Sequence, residues 1–270
     1  MLQKNYFPDF MIIGAQKSGT TTLHFLLNQH PNLTGSNPKE LHYFDKLPKD
    51  RNSLEWYKSH FSTSIFKKRC LFFESTPNYL YHSHIPVELF DLNPLLRFIV
   101  MLRNPVTRCF SAWNMYKNAF EQYKKNSSLL ISKDSPIFQY FFKGRKTFPT
   151  LDECLDIEQK LITENQTKEP ALLRRGLYYD QLVNYFKSFH PDNFYIVESE
   201  DFRSNVISHL DQIVEFLGVP PFNKTKLNVQ NQHERYYDHE MSDGTKTLLN
   251  EFYNESNEKL YNMLGKRFEW

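Results

Sequence analysis

The chain has 270 residues, of which 40% are hydrophobic, enough for one large α/β domain with a substantial core. Its formal net charge of +2 excludes the strongly basic character typical of nucleic-acid-binding proteins, and no apolar run reaches the length of a membrane span. The three cysteines form neither a CxxC pair nor a metal motif, so we expect buried free thiols.

The first predicted element is a strand over 10–14, a short apolar run that is followed at once by a loop and a helix with leucines on one face. Backbone N–H groups at a helix N-terminus bind anions, and glycine lets the backbone approach them closely. Lys17 adds a mobile positive charge, so the sequence predicts a phosphate-binding loop. The alternative is an ordinary strand–helix turn. The candidate ligands in this loop are Gln16, Lys17, Ser18, Gly19, Thr20 and Thr21.

Further apolar runs predict buried parallel strands, and helical patterns separate them. They indicate a P-loop-like α/β fold in which helices flank a parallel sheet on both faces, as a single domain over 1–270. These predicted strands cover residues 70–73, 98–102 and 194–198.

The remaining regions predict one excursion from the core and several helices. The polar region 121–150 is expected to form a loop or lid. Glycine or proline marks the end of each later helical pattern. The helical predictions cover 151–189 with breaks near Pro170 and Gly176, 204–217, and about 242–264 up to Gly265.

A second anion motif, RNPxxRxxSxW, follows the predicted strand 98–102. Arg103 stands at the carboxyl end of that strand, where open α/β sheets bind ligands. Ser111 lies further along the helix that Pro105 is suited to begin. A planar guanidinium and a hydroxyl can hold one phosphate from two sides, whereas Arg108 more often supports a loop or pairs with a carboxylate.

Together, these two motifs resemble the phosphate loops of the sulfotransferases that use 3′-phosphoadenosine 5′-phosphosulfate (PAPS). In the first loop, GxxKSGTT, Lys17 precedes Gly19, unlike the nucleoside-triphosphate pattern, and it resembles the 5′-phosphosulfate loop. The second motif resembles the 3′-phosphate loop. The resemblance implies PAPS as the co-substrate without a metal, Lys17 as the cation for the departing 5′-phosphate, and Arg103 with Ser111 on the 3′-phosphate.

The segment 38–45, PKELHYFD, resembles the KExHFFD segment of glycosaminoglycan sulfotransferases, especially the heparan sulfate 3-O-sulfotransferases. The resemblance implies that Glu40 is the general base and that His42 and Asp45 assist or hold the substrate. A sugar hydroxyl needs such a base as it attacks sulfur. The structural alternatives are a solvated loop carboxylate for Glu40 and a core histidine for His42.

The segment 73–80, FESTPNYL, departs from that branch. The heparan enzymes have EKTPxYF here, and Ser75 replaces their catalytic or substrate-binding lysine, while bacterial relatives with an EASPxYL-like version are closer. A heparan acceptor is therefore not implied. Glu74 either binds a substrate hydroxyl or anchors the loop.

Later segments resemble the family's nucleotide contacts and its C-terminal core. Arg174, Arg175 and Tyr178 match the [RS]xGxY segment, with Tyr178 the better candidate. The late KGRxxP loop should fall near 233–239, where Arg235 is the remaining candidate. Trp270 ends a C-terminal pattern that resembles that of the family, so the resemblance runs along nearly the whole chain.

The leading interpretation is thus a carbohydrate sulfotransferase whose acceptor is a sugar or another hydroxyl-bearing small molecule, with no nucleic-acid partner. A small-molecule kinase and a non-catalytic nucleotide-binding protein on the same fold are the alternatives. We expect a cytoplasmic protein if Met1 is the native start, because no signal peptide precedes the domain, and a Golgi-lumen location if the chain is an excised domain. The oligomeric state and the position sulfated remain open.

Overall fold

The computed structural model of the chain describes residues 7–46, 48–61, 70–126, 131–166, 168–225, 227–229, 237 and 240–270. The chain divides into two compact units. The first unit comprises Met1–Arg103 with Asp180–Arg235, and the second comprises Asn104–Tyr179 with Tyr236–Trp270. Each unit is described by itself below.

The first unit contains a five-stranded sheet in the order β2-β3-β1-β4-β5, and every neighbouring pair is parallel. This confirms the predicted α/β fold. The structure adds the short strand β2, and it places the third and fourth strands one residue away from their predicted starts. The strands are β1 (Phe10–Gly14), β2 (Leu33–Gly35), β3 (Leu71–Ser75), β4 (Arg97–Leu102) and β5 (Phe194–Glu198).

The helices follow the strands in an alternating order, as expected for parallel sheets, which need crossover connections. The helix predicted over 204–217 begins two residues later, at Val206, and the one predicted over about 242–264 begins at Asp243, while both end as predicted. The α-helices of the described chain are α1 (Thr20–Asn28), α2 (Leu54–Ser59), α3 (Ile85–Leu92), α4 (Pro105–Asn126), α5 (Leu151–Thr163), α6 (Tyr178–Phe186), α7 (Ser199–Ser204), α8 (Val206–Leu217) and α9 (Asp243–Leu264).

Alternating side chains of the central strands cover both faces of the sheet. On one face, Phe10 and Ile99 belong to a buried cluster that includes leucines of α1 and α8. On the other face, the ring of Phe98 lies 5.5 Å from Tyr185 of α6 and 4.7 Å from Phe189. Both faces are therefore buried, which explains why these strands are continuous apolar runs in the sequence.

Local signals set the helix ends that the sequence predicted. Thr150 and Glu153 form a capping box at the start of α5, with Thr150 Oγ1 accepting from the Glu153 N–H at 3.2 Å. Glycines with a left-handed backbone end two later helices, Gly218 for α8 and Gly265 for α9. These ends need no tertiary contact, so the sequence alone could indicate them.

The second unit is helical, and its core corrects the interpretation of 121–150 as an excursion. Helix α4 continues to Asn126, and a π-helical turn spans Phe138–Phe142. Phe141 is fully buried in a cluster with side chains of α4, α5 and α9. The prediction was wrong because polar residues surround a phenylalanine-rich segment in the sequence. That segment packs into the core because burying aromatic area is strongly favourable.

Candidate active site

The loop after β1 has the backbone expected of an anion site. Lys17 and Gly19 both have positive φ angles, 73° and 90°, and Gly19 immediately precedes α1. The N-cap residue of α1 is Gly19, which has no side chain to accept a hydrogen bond from the first N–H groups of the helix. Gln16 Oε1 and Ser18 Oγ are buried atoms without a hydrogen-bond partner in the described part of the chain. A bound anion would satisfy the N–H groups and the Ser18 hydroxyl.

Arg103 joins the end of β4 to this loop. Its Nη1 atom donates a hydrogen bond to the Lys17 carbonyl oxygen at 3.0 Å, and its Nε atom lies 3.7 Å from Glu200 Oε1. The guanidinium therefore fixes the loop backbone beside the predicted phosphate site. Its predicted contact with a 3′-phosphate stays a prediction.

In the second unit, the second motif places two polar side chains inside α4. Ser111 is 2% exposed, and its hydroxyl is 2.7 Å from the hydroxyl of Tyr237. Arg108 is completely buried and donates from Nη2 to the Leu172 carbonyl oxygen, which agrees with the supporting role considered for it. Arg235 lies outside the described residues, and the role of Ser111 as a phosphate ligand stays a prediction.

The segment 38–45 forms a cluster of charged side chains in the first unit. Glu40 and His42 have positive φ angles of 63° and 50°, an uncommon backbone for residues other than glycine. Lys39 Nζ contacts Glu40 Oε1, and His42 Nε2 lies 3.5 Å from Glu40 Oε2. The other ring nitrogen, His42 Nδ1, is 2.7 Å from Asp45 Oδ2. An imidazole thus stands between two carboxylates, and an ammonium group completes the cluster.

Electrostatics in this cluster favour the charged forms of both Glu40 and His42. Burial raises the pKa of Glu40, but the His42 hydrogen bond and the Lys39 charge outweigh burial and lower it to about 2. Hydrogen bonds with Asp45 and Glu40 raise the pKa of His42 to about 9 against the opposing effect of burial. At neutral pH the imidazole is protonated and cannot accept a proton, whereas Glu40 is an available carboxylate.

Asp45 supports the imidazole from behind. Its side chain is 5% exposed, and Oδ2 accepts hydrogen bonds from His42 and from Asn78 Nδ2, the latter at 2.5 Å. Burial raises the pKa of Asp45, but these hydrogen bonds lower it overall. The position suits a residue that orients His42. Its predicted contact with substrate stays a prediction.

Glu74 is completely buried in β3, and hydroxyl groups saturate its carboxylate. Tyr57, Thr76 and Tyr79 donate to it at 2.5, 2.6 and 2.8 Å. Burial raises the pKa of Glu74 despite these hydrogen bonds. Of the two alternatives for Glu74, this environment favours an anchor for the loop, and the substrate-binding role stays a prediction.

The residues of the segment around Gly176 differ in their solvent exposure. Arg174 and Arg175 are partly exposed in a 3-10 turn that precedes α6. Tyr178 is only 1% exposed, and its ring lies 5.8 Å from that of Trp270. Tyr178 therefore offers almost no surface to a ligand in this conformation, and its predicted contact with the nucleotide stays a prediction.

Three residues at these sites were missed by the sequence interpretation. Lys39 precedes Glu40 directly, so its place in the segment 38–45 was an available signal. Asn78 lies in the segment 73–80 that already supplied Glu74. Tyr237 had no local signal, because its hydrogen bond with Ser111 joins residues that are 126 positions apart.

Comparison with known proteins agrees with this geometry. The model of the sulfotransferase domain family matches residues 7–262. The chain belongs to the sulfotransferase family. The match extends over segments of both units, and the boundaries 1–270 of a single sulfotransferase domain stay a prediction.

Curated sulfotransferases are similar over almost the whole chain. The membrane-associated sulfotransferase kil1 of Dictyostelium discoideum is 27% identical over 97% of this chain and 66% of its own length. Heparan sulfate glucosamine 3-O-sulfotransferase 5 of Mus musculus is 23% identical, over 97% of this chain and 74% of its own length. These relatives are therefore longer than the region that this chain spans.

Solved structures of sulfotransferases share the fold. A sulfotransferase from Alicyclobacillus acidocaldarius has a TM-score of 0.69 at 20% identity, covering 97% of this chain and 98% of the other. A mouse sulfotransferase solved in complex with PAP has a TM-score of 0.54 at 12% identity, covering 92% and 83% of the two chains. At these identities the likeness concerns the fold. Among the described residues, no helix is long and apolar enough to span a membrane.

Proposed function

We propose that this sulfotransferase moves the sulfuryl group of PAPS to a hydroxyl, or an amine, of a carbohydrate acceptor by in-line transfer. One observation carries the proposal: His42 contacts Glu40 through one ring nitrogen and Asp45 through the other. These three residues lie in the same unit as the β1 loop. The names of heparan sulfate sulfotransferases among the relatives and of PAP in a structural neighbour support the choice of substrates.

The residues of the β1 loop fit the sulfated end of PAPS. The uncapped N-terminus of α1 and the unpartnered Ser18 hydroxyl offer hydrogen-bond donors, and Lys17 offers a cation. Gly19 has a positive φ, so the backbone turns into the helix where a bulkier residue would be strained. PAPS supplies an activated sulfuryl group, and in this proposal Arg103 and Ser111 hold its 3′-phosphate, as the second motif predicts.

The protein contributes a base and a cation to the transfer. Glu40 takes the proton of the acceptor hydroxyl as the acceptor oxygen forms its bond to sulfur. The bond between sulfur and the bridging oxygen breaks, and its electron pair leaves with the 5′-phosphate, where Lys17 stabilises the charge. Protonated His42 holds Glu40 in place, and Asp45 holds His42. The products are a sulfated acceptor and adenosine 3′,5′-bisphosphate (PAP).

The residue at position 75 indicates how anionic the acceptor is. Ser75 replaces the lysine of the heparan enzymes, and its buried hydroxyl is 2.8 Å from His24 Nδ1. Burial lowers the pKa of His24 to about 4, so this pair carries no positive charge at neutral pH. A polyanionic chain would find no cation at position 75, and we therefore favour a carbohydrate with fewer anionic groups than heparan sulfate.

The first test is the choice of nucleotide. Titration calorimetry should show that PAP binds roughly ten- to a hundredfold more tightly than AMP, because the 3′-phosphate adds charge-assisted contacts. Labelled PAPS should then transfer label to members of a sugar panel. Equal affinity for PAP and AMP would contradict the assignment of the second motif. Preference for ATP with phosphate transfer would support the kinase alternative, and PAP binding without turnover on any acceptor would support the non-catalytic one.

A further inference from the structure

The connection between α5 and α6 is held by a buried carboxylate that the proposed chemistry does not use. Glu158 Oε2 accepts from the Leu172 N–H at 2.6 Å, and Oε1 accepts from the N–H groups of Leu173 and Arg174 at 2.8 and 3.3 Å. Glu158 is completely buried in α5. One side chain thus fixes three successive N–H groups of the segment 172–178, which includes Arg174, Arg175 and Tyr178.

The carbonyl side of the same segment is held by two other helices. Arg108 of α4 donates to the Leu172 oxygen, and the Tyr253 hydroxyl of α9 donates to the Leu173 oxygen at 3.0 Å. The Tyr253 ring packs so closely on Gly176 that a Cβ added there would lie 2.6 Å from a ring carbon. The segment is therefore clamped from both sides, and its position depends on each clamp.

Glu158 is itself paired with a second buried carboxyl group. Glu169 is 6% exposed, and its side chain shares a hydrogen bond with Glu158. Two carboxyl groups can share a hydrogen bond only when one of them carries a proton. Glu169 precedes Leu172 by three positions, through Ala171, which has a left-handed φ of 61°. A displacement of Glu169 would therefore be transmitted directly to the clamped segment.

We propose that Glu158 and Glu169, sharing one proton, form a positioning pair that holds the segment 172–178 for nucleotide binding, and that losing this proton weakens binding. The inference rests on the proposed function and on the sequence prediction that Arg174, Arg175 and Tyr178 contact the nucleotide. Glu158 and Glu169 act through the backbone that they hold, and neither needs to touch the nucleotide.

The charges that surround the pair give the direction of the pH effect. Burial, followed by the hydrogen bond and the charge of Glu169, raises the pKa of Glu158 to about 8. Among the described residues, the ionisable groups that face this region include Arg108 and Cys109 of α4, Tyr178 of α6 and Tyr253 of α9. Burial raises the pKa of both Cys109 and Tyr253, so neither adds a charge at neutral pH. Above the pKa of the pair, two buried carboxylates repel each other.

The test measures the dissociation constant of PAP by titration calorimetry between about pH 6.5 and about pH 9.5. The wild-type dissociation constant should rise by up to about tenfold for each pH unit above the pKa of the pair, because the tightly binding form keeps the proton. Glu169→Gln should remove this alkaline loss, since its amide donates permanently to Glu158. Glu158→Gln should weaken binding about tenfold or more at every pH, because an amide nitrogen replaces one acceptor oxygen.

Asp156→Asn is the matched control, because it removes one carboxylate from the exposed face of the same helix. It should follow the wild type at every pH. If Glu169→Gln keeps the wild-type alkaline loss, the inference is overturned, even where Glu158→Gln fails to fold. If the wild type binds no PAP at any pH, the proposed function fails instead, so the two failures are distinguishable.

Discussion

The regions of the two phosphate motifs differ in how exposed their charged side chains are. In the first unit, the β1 loop leaves Ser18 Oγ buried without a partner among the described residues, and Glu40 and His42 remain 38% and 44% exposed. In the second unit, Ser111 is buried against the hydroxyl of Tyr237, and Arg108 is completely buried with a hydrogen bond from Nη2 to a backbone carbonyl, while its Nε and Nη1 atoms have no partner among the described residues.

This difference suits the first region to the reacting groups and the second region to nucleotide binding. Unsatisfied donors and exposed charges leave room for reacting groups, and a left-handed backbone at Glu40 and His42 is typical of functional sites that the surrounding structure must support. Buried side chains such as Ser111 and Arg108 instead support the fold. We therefore expect substitutions in the first region to change kcat and substitutions in the second to change the affinity for the nucleotide.

The largest effect should come from Glu40→Gln, which keeps size and hydrogen bonding but removes the basic oxygen. We expect kcat to fall by roughly 10²- to 10⁴-fold, because the acceptor proton loses its base. PAP affinity should barely change. Turnover of labelled PAPS and calorimetry of PAP measure the two quantities, and Glu215→Gln, at an exposed position in the same unit, is the control.

His42→Ala sharpens the same comparison, because it removes the imidazolium that holds Glu40. Its effect on kcat should be smaller than that of Glu40→Gln, since a protonated imidazole cannot be the base. An inactive His42→Ala variant beside an active Glu40→Gln variant would assign the base role to the histidine and contradict our mechanism.

Lys17→Ala should have the next largest effect, lowering kcat by roughly 10²- to 10³-fold at saturating PAPS. The ammonium charge is needed mainly as the 5′-phosphate departs, and Lys17 lies in a partly exposed loop, so the thermal unfolding midpoint should be retained. Lys187→Ala, at an exposed lysine of the same unit, should leave turnover unchanged. Near-normal turnover by Lys17→Ala would rule out its role as the leaving-group cation.

The smallest expected effect concerns the second region, which contains Ser111. Ser111→Ala should raise the dissociation constant of PAP by about tenfold, because the 3′-phosphate loses one charge-assisted hydrogen bond. The affinity for AMP, which lacks that phosphate, should stay the same and serves as the internal control. A loss of kcat at saturating PAPS, with PAP affinity unchanged, would contradict the assignment of catalysis to the first region and of nucleotide binding to the second.

Much of the fold could be predicted because its signals are local. The runs at 10–14 and 194–198 have the bounds of β1 and β5, since strands buried on both faces are continuous apolar runs. Strand β2 was not predicted, because three residues are too few for a recognisable pattern. It forms by pairing with β3. The packed segment Phe138–Phe142 escaped because polar neighbours surround it in the sequence.

The sequence by itself determined the order of the two phosphate motifs, the segment that contains Glu40, and the alternation of strands and helices. Each is written in adjacent residues, where turn chemistry and apolar periodicity act. The tertiary structure decided which side chains meet. Ser111 lies against Tyr237, and Glu158 accepts hydrogen bonds from the backbone N–H groups of 172–174. Such pairs depend on how hydrophobic burial packs separate segments together, because a hydrogen bond forms only between groups that are already close in space.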